Sequence, residues 1–341
     1  MDSGLFLQER NTGIIEIVPL PLKSRVADEV RKKKVLVIAG PTAVGKTSIS
    51  LRIAEMLGGE IISADSMQVY RGMDIGTAKA SREERERIPH HLIDIRDVNQ
   101  PFNVANFCID AQEALKTIVF KEAVPLVVGG TGFYMRAIIY GPPSGPPSVP
   151  EIRQKLEQEL SELGPVVLYE RLKKLDPDYA IQISSADRHK IIRGLEIISI
   201  TGLKVTEFTP SSPEQVSNYD FRCWFLYRPL PQLYERIERR CEEMLVEGLL
   251  EEVKRLEKSG LRENASASQA IGYRQCLEFI DSEQTPSDWQ SCIDKFKKAS
   301  RHYARRQFTW YRKEPRFRWI NVHEKGEEET AELIVQDFEL S

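Results

Sequence analysis

The tightest constraint on the fold is a stretch in which Val35-Leu36-Val37-Ile38-Ala39 runs into Gly40-Pro41-Thr42-Ala43-Val44-Gly45-Lys46-Thr47, after which apolar residues recur at Ile49, Ile53, Ala54 and Leu57. An unbroken β-branched run suits a strand covered on both faces of a parallel sheet. The later spacing suits a helix, stopped by Gly58-Gly59. The eight residues between them have the spacing of a P-loop in the context that gives it meaning, after a strand and opening a helix. Its glycines let backbone N–H groups curl into a nest that, with the helix N-terminus, holds phosphate oxygens. Lys46 adds a cation and Thr47 a hydroxyl ligand for Mg²⁺, so every residue of the loop is a candidate diphosphate contact.

Residues 60–63 and 125–128 read as short apolar strands and residues 103–121 as a helix, which extends an alternating β/α order. That order predicts an α/β fold, a P-loop NTPase-like doubly wound parallel sheet. Gly141-Pro142-Pro143-Ser144-Gly145-Pro146-Pro147-Ser148-Val149-Pro150 is too proline-rich for a helix or interior strand and reads as a stiff linker. Residues 151–209 carry only helical patterns, and Pro210-Ser211-Ser212-Pro213 closes them off before a strand-like segment at 221–226. A helical insertion domain in the α/β core follows. Long helices are expected over 231–258, 269–282 and 286–312. The resulting division is an N-terminal extension (1–32), the first part of the core (33–141), the insertion (142–215), the second part of the core with C-terminal helices (216–323) and an acidic tail (324–341) that contains Glu327-Glu328-Glu329.

With 341 residues, 41% hydrophobic and 29% charged, the chain can bury a sizeable core and lies far from the disordered regime. No window approaches the roughly 18 apolar residues of a membrane span. A net charge of −3 excludes a polyanion binder of uniform charge, so any nucleic-acid surface must be a local patch. One candidate is Arg301-His302-Tyr303-Ala304-Arg305-Arg306-Gln307-Phe308-Thr309-Trp310-Tyr311-Arg312-Lys313, where rings and guanidinium planes can stack on unpaired bases while charges meet phosphates. The same pattern would serve an amphipathic helix with Phe308 and Trp310 in the core. Five cysteines without paired spacing point to reduced thiols in a cytoplasm. His90 and His91 are adjacent and no other histidine or cysteine stands at zinc spacing, so no zinc site is expected.

A P-loop alone points to a nucleotide phosphatase or kinase, enzymes that place an acidic Mg²⁺ ligand at the end of a later apolar strand. Here Leu126-Val127-Val128 runs instead into Gly129-Gly130-Thr131-Gly132. The missing acid weighs against an ATP-dependent kinase and against a non-enzymatic RNA-binding ATPase, and favours a loop that holds a diphosphate for a reaction other than phosphoryl transfer.

Ser63-Ala64-Asp65-Ser66-Met67-Gln68-Val69-Tyr70-Arg71-Gly72-Met73-Asp74-Ile75-Gly76-Thr77-Ala78-Lys79 resembles the signature of the tRNA dimethylallyltransferases. Pro89-His90-His91-Leu92-Ile93-Asp94, Gly129-Gly130-Thr131, the Arg236-to-Arg240 helix, Ile271-Gly272-Tyr273-Arg274 and Arg305-Arg306-Gln307-Phe308-Thr309-Trp310 recur in that family's order, over about residues 34–321. The absence of a C-terminal zinc finger from this sequence is similar to the bacterial type.

The resemblance implies an Mg²⁺-dependent enzyme that carries a dimethylallyl group from dimethylallyl diphosphate on the P-loop to the N6 amine of the adenosine 3′-adjacent to the tRNA anticodon. It implies that Asp65 is the general base, a role a carboxylate fills only within hydrogen-bond reach of the amine, although by its place Asp65 could also cap a helix. Thr131 would bond the diphosphate near its bridging oxygen, and Arg240, chosen among Arg236, Arg239 and Arg240, would contact the same leaving group. The resemblance further implies tRNA contacts from Asp65, Ser66, Met67, Gln68, Thr131, Gly272, Tyr273, Arg274, Arg301, Arg305 and Arg306. Arg153, His189, Lys190 and Arg193 would grip the anticodon stem-loop, although a common version of the family carries Pro-Gln-Arg where Arg188-His189-Lys190 stand here. An adenylate prenyltransferase acting on a free nucleotide would share the loop but has no need of the insertion. No membrane partner is expected, and the chain is expected to act as a monomer in the cytoplasm.

Overall fold

A computed structural model describes residues 32–143, 145–208 and 218–340. The N-terminal extension up to residue 31 and the proline-bounded segment at 210–213 lie outside the described residues. The chain order begins β1 (Lys33–Ala39), α1 (Lys46–Leu57), β2 (Gly59–Ala64), α2 (Arg82–Arg87), β3 (His90–His91), α3 (Val104–Phe120), β4 (Val124–Gly129) and α4 (Gly132–Tyr140). Four helices follow, α5 (Pro150–Leu163), α6 (Pro165–Leu175), α7 (Pro177–Ala180) and α8 (Arg188–Thr201). The remainder is β5 (Tyr219–Tyr227), α9 (Leu230–Val246), α10 (Leu249–Lys258), α11 (Tyr273–Ile280), α12 (Pro286–Tyr311), β6 (Phe317–Asn321) and α13 (Val322–Leu340), the last kinked at Gly326.

The strands form one sheet in the order β3-β2-β4-β1-β5-β6, and every pairing is parallel. The doubly wound fold expected from the strand-loop-helix pattern is therefore present. β1 is central, and Val35 to Ala39 are fully buried, which is why that segment reads as an unbroken apolar run. Register places the site. Ala39 stands opposite Gly129 and so does Ala64, so the chain leaves three adjacent strands side by side at Gly40, Asp65 and Gly130. In open parallel sheets ligands bind at such carboxyl ends, where the winding reverses.

Helices α5 to α8 carry a small core of their own, built from Leu156, Leu160, Leu168, Leu172, Ile191, Ile192 and Leu195. Each helix alone presents too narrow an apolar stripe to stand free, and pairing of α5, α6 and α8 buries the three stripes together.

Several elements differ from the sequence expectation. The helix expected over 231–258 is two helices, α9 and α10, divided at Gly248, and the one expected over 269–282 begins only at Tyr273. β6 was not expected at all: Arg318 alternates outward between buried Phe317 and Ile320, and five residues at the sheet edge are too few to show a period. Residues 324–340 are not an acidic appendage. They belong to α13, which packs on α1 and sends Ala331, Ile334, Val335 and Phe338 into the main core. Burial of Ile, Val and Phe side chains at about 1.5 to 3 kcal/mol each outweighs the few tenths that exposed glutamates contribute, so the apolar face decides the role of this segment.

Candidate active site

A cavity of about 620 Å³ opens at the strand ends and is lined by Thr42 to Ser48, Asp65 to Gln68, Gly130, Arg236, Arg240, Tyr273, Tyr303, Arg306 and Gln307, among others. Its floor is the P-loop. Lys46 Nζ donates to the carbonyls of Gly40 and Pro41, at 2.9 Å each, which folds the lysine back across the nest. Burial lowers the Lys46 ammonium from its ordinary 10.5 to about 7; neighbouring Arg240 pushes in the same direction and Asp65 opposes it. A loop that imposes so large a desolvation cost on its own lysine is set up for an anion that would offset it.

The loop is braced from behind. Arg228 Nε donates to Val44 O at 3.0 Å and Arg236 Nε to Ala43 O at 2.9 Å, and Glu327 of α13 accepts from Arg228 at 3.1 Å and from Ser48. Arg240, one turn beyond Arg236 on α9, turns inward and donates to Thr42 Oγ1 at 3.3 Å. Arg239 is paired with Glu243 at 3.4 Å and is mostly exposed. All three arginines of α9 border the cavity, Arg236 held on the Ala43 carbonyl, Arg239 on Glu243 and Arg240 on the Thr42 hydroxyl.

Asp65 follows β2 directly. Its Oδ1 accepts from the Met67 amide at 2.9 Å, an Asx turn that fixes the carboxylate at the cavity wall. Across from it Thr131 Oγ1 accepts from the Ser66 amide at 3.3 Å, and the Tyr303 phenol lines the cavity. Burial pushes that phenol up to about 12, and the negative charge of Asp65 adds to the effect. Ser63 Oγ donates to Gln68 Oε1 at 2.8 Å, and Gln68 Nε2 donates to Thr77 O at 3.3 Å. Asp65, Ser66, Met67, Gln68 and Arg240 thus line one space with Thr42 to Thr47 of the P-loop, and Thr131, next to lining Gly130, is tied to it through Ser66.

Sequence reasoning did not single out Gln307. Its Oε1 accepts from the Thr42 amide at 3.1 Å and its Nε2 donates to Gly130 O at 3.0 Å, so one buried amide ties the P-loop to the Thr131 loop. An amide is the neutral side chain that offers a donor and an acceptor at one end. Glu252 was missed as well. Fully buried, it accepts from the Asp74, Ile75 and Gly76 amides and from the Tyr273 hydroxyl at 2.6 Å. Nothing in the charged sequence of α10 separates it from its exposed neighbours.

Other residues named from the sequence stand farther from the cavity or are already engaged. Tyr273 is fully buried and lines the cavity, Gly272 packs against Phe296, and Arg274 lies on the Glu278 side of α11. On α12, Arg306 lines the cavity, Arg301 is paired with Glu238, and Arg305 bonds the Tyr234 hydroxyl and lies over its ring. Of the two α12 rings, Phe308 is buried and Trp310 is 36% exposed. In the insertion, Arg153 and Arg193 meet at the buried Glu196, at 3.8 and 2.7 Å, while His189 and Lys190 are exposed.

The comparisons with known proteins agree with one another. The family model described as IPP transferase matches residues 68–314. The tRNA dimethylallyltransferase of Protochlamydia amoebophila is 55% identical over 309 residues, covering 91% of this chain and 90% of that one. The chain belongs to the tRNA dimethylallyltransferase family. The Chlamydia pneumoniae member is 46% identical over 308 residues, 90% of each chain. Among solved structures, the full-length tRNA isopentenylpyrophosphate transferase of Bacillus halodurans superposes with a TM-score of 0.65 at 38% identity, covering 90% of this chain and 97% of that one. A eukaryotic dimethylallyltransferase described as acting on tRNA gives 0.66 at 31% identity over 82% of this chain and 69% of its own. The family expectation drawn from the residue 63–79 signature is thereby met.

Proposed function

We propose that this chain moves the dimethylallyl group of dimethylallyl diphosphate to the exocyclic N6 of the adenosine 3′-adjacent to the anticodon of tRNA, as a monomer in the cytoplasm. The observation that carries the proposal is the cavity itself, which has a phosphate nest at one end, a carboxylate at Asp65, and glycine and threonine where a phosphoryl-transfer enzyme keeps its strand-end acid.

Lys46, Arg240 and the loop amides hold the diphosphate and stabilise the charge that grows as the carbon–oxygen bond breaks. Gln307 keeps Thr131 at a fixed distance from the P-loop, and the Ser66 amide orients its hydroxyl toward the bridging oxygen. As N6 forms its bond to the prenyl carbon, its proton passes to Asp65 and diphosphate leaves, so charge and atoms balance. The lone pair of an adenine amine is delocalised into the ring, and proton removal is therefore part of the step rather than a sequel to it. Mg²⁺ keeps several waters when it binds beside phosphates, and the Thr47 hydroxyl at the cavity floor would be its protein ligand, leaving Asp65 free as the base. When bound there, the ion would neutralise diphosphate charge. The helical insertion, through Arg153, His189, Lys190 and Arg193, and α12, through Arg301, Arg305 and Arg306, hold the anticodon stem-loop.

The test is incubation with labelled dimethylallyl diphosphate, Mg²⁺ and tRNA lacking the modification, with AMP and ATP present as competitors. Label on adenosine N6 in tRNA is expected. Label in AMP, or phosphate transferred from ATP, would replace the reading.

A further inference from the structure

Helix α4 starts at Thr131, its N-cap, and ends at Gly141, where the linker to the insertion begins. Phe133, Arg136 and Tyr140 stand at i, i+3 and i+7, so they share one face. That face is exposed: Phe133 is 46% and Tyr140 37% accessible, and the Arg136 side chain 60%. From α12, Trp310 meets Phe133 edge-to-face, with ring centroids 6.5 Å apart and planes at 76°. Its indole lies so close over Gly132 that a Cβ there would come within 2.4 Å of the ring, and only glycine lets it sit down on the start of α4. Farther along, the guanidinium groups of Arg136 and Arg316 lie 5.9 and 5.1 Å from the centre of the Tyr140 ring.

Single exposed apolar residues are ordinary on a protein surface. A continuous strip in which rings alternate with guanidinium planes, running about 10 Å along a helix at 1.5 Å per residue, is not. We infer that this strip is a stacking track for the unpaired anticodon-loop nucleotides next to the reacting adenosine; the inference rests on the tRNA reading given above. Its position supports this: the strip leaves the candidate site at Thr131 and points along α4 to the linker that leads to Arg153. Its length accommodates about three bases at a stacked spacing of about 3.4 Å. Its chemistry matches single-stranded RNA, where base faces stack on aromatic rings and arginine planes while phosphates meet the positive charge. Glu314, which accepts from Arg136 at 3.2 Å, orients that guanidinium over the Tyr140 ring.

The experiment measures the Kd of an anticodon stem-loop, over a salt series, for wild type, Phe133→Leu, Tyr140→Leu and Phe133→Trp, with the Kd of dimethylallyl diphosphate alongside. Leucine keeps apolar bulk and removes the flat π face. Each leucine variant should lose roughly five- to hundredfold in stem-loop affinity, Phe133→Trp should keep wild-type affinity, and diphosphate affinity should stay unchanged. The log–log salt slope should also hold, since stacking releases no counterions. A stem-loop with abasic residues flanking the target adenosine should no longer distinguish wild type from the leucine variants. Leucine variants that bind the intact stem-loop as wild type does, or that lose as much with the abasic one, would overturn the track and leave the strip as a packing feature or a protein-binding surface. A wild-type protein that fails to bind the stem-loop at all would instead overturn the tRNA reading itself.

Discussion

The two ends of the candidate site are built on opposite principles. Around the P-loop, proposed above to hold the diphosphate, the protein fixes the groups beforehand: Lys46 on two carbonyls, the loop's outer carbonyls on Arg228 and Arg236, and the two loops joined through Gln307. Among the cations proposed above to meet RNA several are engaged in the free protein, Arg301 on Glu238, Arg305 on the Tyr234 hydroxyl, and both Arg153 and Arg193 on the buried Glu196. A small ligand of fixed shape rewards a rigid cradle, because its binding then orders little else. A large polyanion can displace an exposed pair such as Arg301–Glu238, worth about 0 to 1 kcal/mol, at little cost, whereas Arg153 and Arg193 cannot both leave the buried Glu196 without stranding its charge, so these two would meet phosphates while still paired. Substitutions should therefore separate sharply by end.

The largest effect belongs to Asp65→Asn, which keeps shape and the Asx turn while removing the base. Single-turnover transfer at saturating tRNA and dimethylallyl diphosphate should fall about 10² to 10⁴-fold, the usual span for general-base catalysis, with both affinities largely kept. Rapid-quench transfer and filter binding give the two readings, and near wild-type transfer would reduce Asp65 to a turn cap.

Next in size is the tie between loops. Gln307→Ala leaves the Thr42 amide and the Gly130 carbonyl without their partner, and a buried unsatisfied group costs about 1 to 3 kcal/mol. The expected result is a rise of about tenfold or more in KM for dimethylallyl diphosphate, with stem-loop affinity unchanged in filter binding. A defect confined to tRNA would place Gln307 at the other end.

How far the site was legible beforehand follows the same division. The P-loop, Asp65 and Gly130 were readable because strand, turn and helix signals are local, and the parallel register turns three local signals into one site. Gln307, Glu252 and Glu327 were not, because their roles depend on partners far along the chain, 265 positions away for Gln307 and Thr42 and 279 for Glu327 and Ser48. A polar side chain also shows its burial in no local period. The acidic run at 327–329 illustrates the limit. Three adjacent glutamates read as a solvated tail, yet the apolar residues that follow at 331, 334, 335 and 338 carry the helical spacing of a packed face, and Glu327 ends up bracing the P-loop.

The smallest effect is electrostatic. Neutralising Arg301, Arg305 and Arg306 together should flatten the salt dependence of tRNA affinity, by about 0.7 to 0.9 in log–log slope for each phosphate left without its arginine. Arg306, which lines the cavity, should contribute more than Arg301, which must first release Glu238. An unchanged slope would turn these arginines away from RNA.

The independence of the two ends is tested most directly by titrating Lys46→Ala and wild type with each substrate separately, across pH. In the free protein burial lowers the Lys46 ammonium to about 7, and a bound diphosphate favours its charged form. Wild-type binding of dimethylallyl diphosphate should therefore take up a proton above pH 7 and weaken as pH rises, by up to about tenfold per unit, whereas stem-loop binding should not follow this course. Lys46→Ala should weaken diphosphate binding, abolish that proton uptake and leave stem-loop affinity intact. Equal weakening of both affinities in a protein that keeps its circular dichroism would contradict the account.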